Sequence, residues 1–154
     1  MSIFPADCVE SCDCRSKIIC EENGRKYIAH NGQQKCICKV KVDGGLIKDN
    51  ARCDWSVAVV LKEGTLEEIF LVELKGSDID HAFEQITGTM SILSTKCSTK
   101  KWFARVVCSK VSSPQLNGIN YKKLDKKLKE LNKSAGELQR ESIIVKTKVL
   151  EEKL

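Results

Sequence analysis

Two neighbouring segments of the chain carry charged residues that could act together on a phosphate ester. Asp54 lies within an apolar stretch, and Glu73-Leu74-Lys75 closes the next one. Because side chains two apart in a strand point to the same face, Glu73 and Lys75 should project together from one strand end. Two carboxylates can hold Mg²⁺, which polarises a phosphate and acidifies a bound water. These residue types predict a metal-dependent phosphodiesterase, with the Lys75 amine orienting the water or neutralising developing charge.

The acid-x-Lys pattern is weak by itself, because Asp125-Lys126-Lys127 and Glu151-Glu152-Lys153 also satisfy it. Only Glu73-Leu74-Lys75 closes an apolar strand, follows a strand that carries an aspartate, and precedes an amphipathic helix. Burying a charged group costs several kcal/mol, on the order of 5, unless it is paired or bound to a cation. Its context therefore selects this copy of the pattern.

Hydrophobic patterning predicts the strands that must position these residues. The segment 53–61 is rich in branched and aromatic residues and should be a largely buried strand. The segment 69–75 should be a central strand with polar chemistry at its tip. A hairpin that returns through Gly64 would bring Asp54 opposite Glu73.

The next elements are predicted to be a helix, a strand, a second helix and a closing strand. Ser77 can cap the first helix, with Asp78 and Asp80 in its first turn. Its apolar residues recur at helical spacing, at Ile79, Ala82, Phe83, Ile86, Met90 and Leu93. The later elements are a strand over 102–108, a Lys-rich helix over 121–131, and a strand within 142–150 that could close the sheet.

The N-terminal third is less regular. Residues 8–22 predict a short irregular helix that ends at the turn Asn23-Gly24. Segments 27–29 and 36–42 flank Asn31-Gly32, a dipeptide that suits a tight hairpin turn, so two paired strands are expected there. With 154 residues, the chain predicts a single α/β domain over 1–154: a central mixed β-sheet flanked by helices, with a Cys-rich N-terminal segment 1–38.

The sequence resembles the PD-(D/E)XK, or restriction-endonuclease-like, nuclease superfamily. The resemblance lies in Cys53-Asp54-Trp55, in 72–76 and in the helix containing 81–85, and covers roughly residues 35 to 110. Cys53 stands where the motif often has proline. The resemblance implies a core of helix, three strands, helix and strand. It also implies catalysis by a Mg²⁺-dependent or Mn²⁺-dependent endonuclease that cuts DNA.

The resemblance also implies roles for individual residues. It places the metal at Asp54, Glu73 and Leu74, and catalytic roles at Asp54, Glu73, Lys75 and Gln85. His81 lies one turn before Gln85 and is better explained as a solvated helix residue. Many members carry a further acidic ligand on their first helix, for which the sequence offers Glu10, Glu21 and Glu22 without choosing among them.

Nine cysteines are present, six of them within the first 38 residues. The count is odd and the first residues do not look like a secretory signal, so reduced thiols in a cytoplasmic protein are expected. A structural Zn²⁺ held by four of these cysteines is the alternative. Spacings such as Cys12-x-Cys14 and Cys36-x-Cys38 lack the usual two-residue separation, which favours thiols without metal.

Charge and composition bear on partners. The net charge is +5, and from Asn120 onward ten basic residues face six acidic ones. This surplus could attract a polyanion such as DNA, although a solvated Lys-rich helix explains it equally well. No apolar run is long enough for a membrane span. The expected partners are nucleic acid and, for double-strand cleavage, a second copy in a homodimer.

The alternative function is an inactive nucleic-acid-binding or protein-interaction module of the same fold, with or without zinc.

Overall fold

The computed structural model describes residues 4–45, 47, 52–61, 63–110 and 116–154. It contains a central mixed sheet of six strands, a smaller sheet of three strands and two helices. The strands are β1 (Val9–Asp13), β2 (Lys17–Glu22), β3 (Arg25–His30), β4 (Cys36–Lys41), β5 (Trp55–Val60), β6 (Leu66–Lys75), β7 (Thr99–Cys108), β8 (Ile143–Thr147) and β9 (Val149–Lys153). The helices are α1 (Ile79–Lys96) and α2 (Ile119–Leu131).

The large sheet has the strand order β1-β4-β5-β6-β7-β8. The pairs β1–β4, β4–β5 and β5–β6 are antiparallel. The pairs β6–β7 and β7–β8 are parallel. Parallel neighbours need a crossover connection, and α1 and α2 supply the two that are required. The α/β architecture with a central mixed sheet is confirmed.

The two faces of the large sheet are covered differently. The helices pack on one face, where their apolar stripes join alternate residues of the strands in one core. The small sheet, with the order β2-β3-β9, covers the other face and forms a second core with the intervening residues. Because successive strand residues point to opposite faces, every central strand contributes to both cores. In the described part of the chain, neither helix has the length and apolar character that crossing a membrane requires.

The predicted α1 stripe is confirmed, since all six of its apolar residues are buried. The cap differs by one residue: the Asp78 side chain, and not Ser77, accepts a hydrogen bond from the His81 backbone N–H. The strands predicted at 53–61, 69–75 and 102–108 and the helix at 121–131 are also present, with shifted ends. The predicted closing segment is split by Lys148 into β8, which joins the large sheet, and β9, which joins the small one.

Two N-terminal predictions are wrong. Residues 8–22 form β1 and β2, and a single 3₁₀ turn at Ala6–Cys8 is the helical structure described there. Segments 27–29 and 36–42 are strands, but β3 and β4 lie in different sheets. The tight hairpin is instead at Asn23-Gly24, where both residues have positive φ, of 48° and 79°, and join β2 to β3.

Candidate functional site

The hairpin of β5 and β6 brings the two predicted carboxylates together. Trp55 pairs with Val72 in the antiparallel register, and Asp54 is the residue immediately before β5. One further step along this register sets Asp54 beside Glu73. The turn uses Gly64 with a φ of 89°, as predicted. Asp54 therefore lies at the start of β5, on the face that α1 covers.

Asp54 is fixed by the backbone of the neighbouring strand. Its Oδ2 accepts a hydrogen bond from the Leu74 N–H at 2.9 Å. This bond orients the carboxylate toward the end of β6, where Glu73 hydrogen-bonds to the Asp54 side chain. The Asp54 carboxylate is therefore held by the backbone of the strand that carries Glu73.

The environment of Glu73 disfavours its charged form. The residue is 2 % exposed, and burial is the main reason that its pKa rises from 4.5 to about 10. The hydrogen bond with Asp54 and the charge of that carboxylate raise the pKa further, while the Lys75 ammonium and the Asp54 N–H act against the rise. A buried carboxyl group beside a second carboxylate is disfavoured in its charged form unless a cation is bound. A divalent ion is the partner that would let both do so.

Lys75 is the last residue of β6 and is half-buried. It lies two residues from Glu73, on the same face of the strand, and its charge acts on the Glu73 carboxyl group. Among the described residues, no carboxylate lies within salt-bridge distance of its ammonium group. The amine is therefore left to act on a bound substrate or water.

Gln85 of α1 contacts the segment that leads into the site. Its Nε2 donates to the Arg52 carbonyl oxygen at 3.2 Å, two residues before Asp54. Its Oε1 is buried and has no hydrogen-bond partner in the described part of the chain. Gln85 thus binds the backbone of Arg52 through its Nε2, and its Oε1 remains available to accept a hydrogen bond. His81 is half-buried in the first turn of α1, where its backbone N–H donates to the capping side chain of Asp78.

Thr89 is a second supporting residue, which the sequence prediction did not include. Its Oγ1 accepts from the Cys53 N–H at 2.8 Å and donates to the Gln85 carbonyl oxygen at 2.9 Å. Cys53 is fully buried, and burial followed by the charge of Glu73 raises the pKa of its thiol. The available signal was a polar residue one turn after Gln85, within the apolar stripe of α1.

A cavity of about 320 Å³ opens beside Asp54. It is lined by Glu21, Glu22, Lys41, Asp43, Asp54 and Trp55. Of the three acidic candidates left open by the sequence, Glu21 and Glu22 therefore share a cavity with Asp54. Glu10 instead pairs with Lys39 at 2.6 Å.

The donor set fits a hard cation with few protein ligands. No group of three or more His, Cys, Asp or Glu residues within the described ranges is arranged to hold a metal. The protein would thus contribute the Asp54 and Glu73 carboxylates, and Leu74 could add only its backbone carbonyl oxygen. Mg²⁺ commonly binds through one or two carboxylates and completes its shell with water and phosphate oxygens.

The N-terminal cysteines are distributed over both cores. Cys12 and Cys38 lie opposite each other in β1 and β4 and form a disulfide. Cys8 is buried in the helix-side core and Cys20 in the small-sheet core, while Cys14 and Cys36 are exposed. The expectation of reduced thiols is therefore wrong for Cys12 and Cys38, because strand pairing aligns residues 26 apart in sequence. The large sheet also separates Cys8 from Cys20, the two buried thiols of the predicted zinc set.

Comparisons of the chain with protein-family models, with curated proteins and with solved structures found no match. The resemblance to the PD-(D/E)XK superfamily therefore stays a prediction from sequence motifs.

Proposed function

We propose that this protein is a metal-dependent nuclease of the PD-(D/E)XK kind that hydrolyses phosphodiester bonds in DNA. One observation carries the proposal: Glu73 is buried beside a second carboxylate, with a pKa of about 10, at the tip of a central strand. A strand that packs well with an apolar residue gains nothing in stability from such a pair. Strongly perturbed carboxyl groups are typical of functional sites, and the cavity adjoins this pair at Asp54.

The order of elements around the pair supports the proposal. Three antiparallel strands, β4, β5 and β6, are followed by α1 and by β7, which runs parallel to β6. This is the order of strands, helix and strand that the resemblance implies. The first helix of that pattern is a departure, since β1, β2 and β3 occupy the region ahead of β4.

Each residue of the site has a task in this chemistry. Asp54, which the Leu74 N–H orients, and Glu73 would hold the cation through their carboxylates. The ion would supply Lewis acidity toward the phosphate and would lower the pKa of its bound water. Lys75 stabilises the negative charge that develops on the phosphate oxygens or orients the attacking water. Gln85 and Thr89 position the backbone that carries Asp54.

Cleavage assays test the proposal. Wild type is incubated with supercoiled plasmid, linear duplex, branched and single-stranded DNA, and with RNA, in Mg²⁺, in Mn²⁺ and with chelator. We expect hydrolysis that needs the divalent ion and is lost in Asp54→Asn and in Lys75→Ala. Nicking alone indicates one centre per DNA, whereas linearisation in one event indicates a homodimer.

The matched control uses the second acid-x-Lys copy, on the exposed side of α2. Asp125 there forms an ion pair with Lys129 at 2.8 Å, in contrast to the buried pair. Asp125→Asn combined with Lys127→Ala should cleave like wild type. Equal activity in this control, in Asp54→Asn and in Lys75→Ala would overturn the assignment. DNA binding without cleavage under every condition would favour the inactive nucleic-acid-binding module.

A further inference from the structure

A continuous row of backbone hydrogen bonds runs sideways from the candidate site across the strand ends. The Ser109 N–H donates to the Gly76 carbonyl at 2.7 Å, next to Lys75. The Lys148 N–H then donates to the Cys108 carbonyl at 2.9 Å, and the Lys148 carbonyl accepts from the Lys26 N–H at 2.9 Å. These bonds link the ends of β6, β7 and β8 to the start of β3. The row therefore bridges both sheets on the edge that carries Glu73.

The side chains on this row form a basic surface, which we call the strand-tip ledge: Lys75, Ser109, Lys110, Lys148 and Arg25. Ser109, Lys110 and Lys148 are exposed, and Lys75 and Arg25 are half-buried. The Arg25 Nη1 donates to the Ser109 Oγ at 3.1 Å, which ties the β2–β3 hairpin to the end of β7. Hydrogen bonds thus hold the Lys148 backbone and the Arg25 side chain in place on the ledge.

In the described ranges, Lys75, Lys110, Lys148 and Arg25 have no carboxylate within salt-bridge distance. Glu22 lies opposite Arg25 in the β2–β3 pairing, and Lys26, whose N–H belongs to the row, pairs with Glu21 at 3.7 Å. The Arg25 Nε is moreover buried without a hydrogen-bond partner there. An unpaired guanidinium N–H is costly to bury, and an anion is its natural partner.

Lys148 occupies a conformation that its residue type disfavours. Its φ is 66°, in the left-handed region where glycine or asparagine would be less strained. This residue makes the corner between β8 and β9, and its side chain is exposed on the ledge. A lysine at such a corner costs backbone energy that glycine would not, on the order of 1 kcal/mol. The amine itself is a reason for a lysine to stand there.

We infer that the strand-tip ledge binds the phosphodiester backbone of the nucleic acid beside the phosphate held by Asp54, Glu73 and Lys75. The inference rests on the proposed function and adds the surface that carries the flanking substrate. Adjacent strands lie about 4.8 Å apart, so the row from β6 to β3 spans roughly 14 Å. Over that length one strand of a B-form duplex presents about four phosphates. Four cations at this spacing suit a backbone that is recognised by charge and not by base sequence.

The Lys-rich helix α2 is the rival surface for the same polyanion. Four of its lysines, Lys122, Lys123, Lys126 and Lys129, are exposed, and Lys129 pairs with Asp125 on the same helix. We favour the ledge as the binding surface because it begins at Lys75 of the candidate site and hydrogen bonds connect its strands. A binding assay can separate the two surfaces.

The experiment measures binding without cleavage, by fluorescence anisotropy with labelled 20-nucleotide single-stranded DNA, the matching duplex and the matching RNA, in chelator. Proteins compared are wild type, Lys148→Gly, Lys110→Ala and the α2 pair Lys126→Ala with Lys129→Ala. Lys96→Ala is the matched charge control, since Lys96 is exposed in the last turn of α1, roughly 27 Å along the helix from its start. Affinities are taken over a series of salt concentrations, and melting temperatures are recorded for every variant.

We expect Lys148→Gly and Lys110→Ala each to weaken binding about three-fold to ten-fold and to reduce the salt slope by about one. Lys148→Gly should melt at or above the wild-type temperature because glycine relieves the positive φ. Lys96→Ala should bind like wild type. The preferred form among the three nucleic acids identifies the substrate.

Wild-type affinity and salt slope in both ledge variants would overturn the inference, as would losses confined to the α2 pair. These outcomes leave the cleavage assay untouched, because binding is measured in chelator. Conversely, a wild type that cleaves nothing but loses affinity in the ledge variants would reject the proposed nuclease and retain the ledge.

Discussion

Two glutamates of β6, five residues apart, are buried on opposite faces of the large sheet and have opposite surroundings. Glu68 is 4 % exposed and faces the small sheet, where the Arg140 Nε lies 3.7 Å and the Lys35 Nζ 4.0 Å from its carboxylate. Glu73 is 2 % exposed and faces the helices, where burial and the carboxylate of Asp54 raise its pKa despite the opposing charge of Lys75. Glu68 has two cations within salt-bridge distance, whereas the surroundings of Glu73 disfavour its charged form.

The compensated side extends to an arginine that is completely buried. Arg105 donates from Nε and Nη2 to Glu152 at 2.6 and 3.1 Å, and from Nη1 to two backbone carbonyls. The Tyr27 hydroxyl donates to the same glutamate at 2.8 Å. This cluster joins β9 of the small sheet to β7 of the large one. Removing one partner of a buried ion pair is costly because it leaves an uncompensated charge, whereas a strongly perturbed carboxyl group marks a candidate functional site.

Removing the arginine should produce the largest change in stability. Arg105→Met leaves Glu152 buried without its main partner, so we expect the free energy of unfolding to fall by about 3 to 5 kcal/mol. Arg105→Met combined with Glu152→Met should recover much of this loss, because neither charge then remains. Urea unfolding followed by circular dichroism measures both. If the single and double variants lose the same free energy of unfolding, the unpaired Glu152 charge is not the cause of the loss in Arg105→Met.

In contrast to Arg105→Met, Lys75→Ala should reduce DNA hydrolysis strongly and change stability little. The side chain is half-buried and has no carboxylate partner among the described residues, so the melting temperature should shift by no more than a few degrees. Hydrolysis of DNA should fall by about 100-fold or more, because the positive charge is lost where negative charge develops. The check is initial cleavage rates at saturating Mg²⁺ together with thermal melts. A large loss of stability with a normal cleavage rate per folded molecule would mean that Lys75 stabilises the fold and does not take part in hydrolysis.

Glu73→Gln should stabilise the metal-free protein at high pH. The folded pKa of about 10 lies above the ordinary 4.5, so between these values the folded state holds a proton that the unfolded state has released. Wild-type stability in chelator should therefore decline as pH rises through this range, by roughly 1 kcal/mol per pH unit. The variant lacks this decline. Unfolding in chelator at about pH 5, 7 and 9 tests the sign and size of the difference.

Glu68→Gln is the matched control for that experiment. It changes the same residue type on the same strand, but it removes a carboxylate that two cations neutralise. We expect it to lower stability at every pH rather than to remove a pH-dependent loss. If the two variants have the same pH profile, burial alone and not the Asp54 neighbour sets the behaviour of Glu73.

The smallest effects should come from the residues of α1 that hold the segment before β5. Thr89→Val leaves the buried Cys53 N–H without an acceptor and should cost about 1 to 2 kcal/mol of stability. Gln85→Ala loses only the contact with the Arg52 carbonyl and should slow cleavage a few-fold through Asp54 placement, about 1 kcal/mol. Single-turnover rates distinguish the two roles. A rate loss near that of Lys75→Ala would make Gln85 a catalytic residue.

The sequence predicted the centre of the fold better than its margins. The α1 stripe and the β5–β6 hairpin follow from local periodicity and from the glycine at the turn, so both strands and both carboxylates could be placed. The N-terminal strands were missed, although Ile18 and Cys20 alternate with exposed residues in β2. The two Asn-Gly dipeptides of the N-terminal third, Asn23-Gly24 and Asn31-Gly32, have the same local preference. Which of them forms the hairpin depends on the pairing of β3 with β9, more than 100 residues away.

The surroundings of Glu68 lay beyond the sequence. The hairpin at Gly64 placed Asp54 opposite Glu73, whereas the cations near Glu68, Arg140 and Lys35, come from segments that the sequence did not connect to it. The disulfide of Cys12 and Cys38 was missed for the same reason, since it requires the register of β1 against β4. Side-chain chemistry fixes which groups could interact, and long-range strand pairing decides which of them do.

The most direct test of the contrast between Glu73 and Glu68 is the binding of Mn²⁺, measured by electron paramagnetic resonance of the free ion in the absence of nucleic acid. Wild type and Glu68→Gln should bind the ion, whereas Glu73→Gln and Asp54→Asn should lose that binding. Glu73→Gln is expected to remain folded in a parallel thermal melt. Retained Mn²⁺ binding in folded Glu73→Gln, or no binding by wild type, would contradict the assignment of the Asp54–Glu73 pair as a metal site.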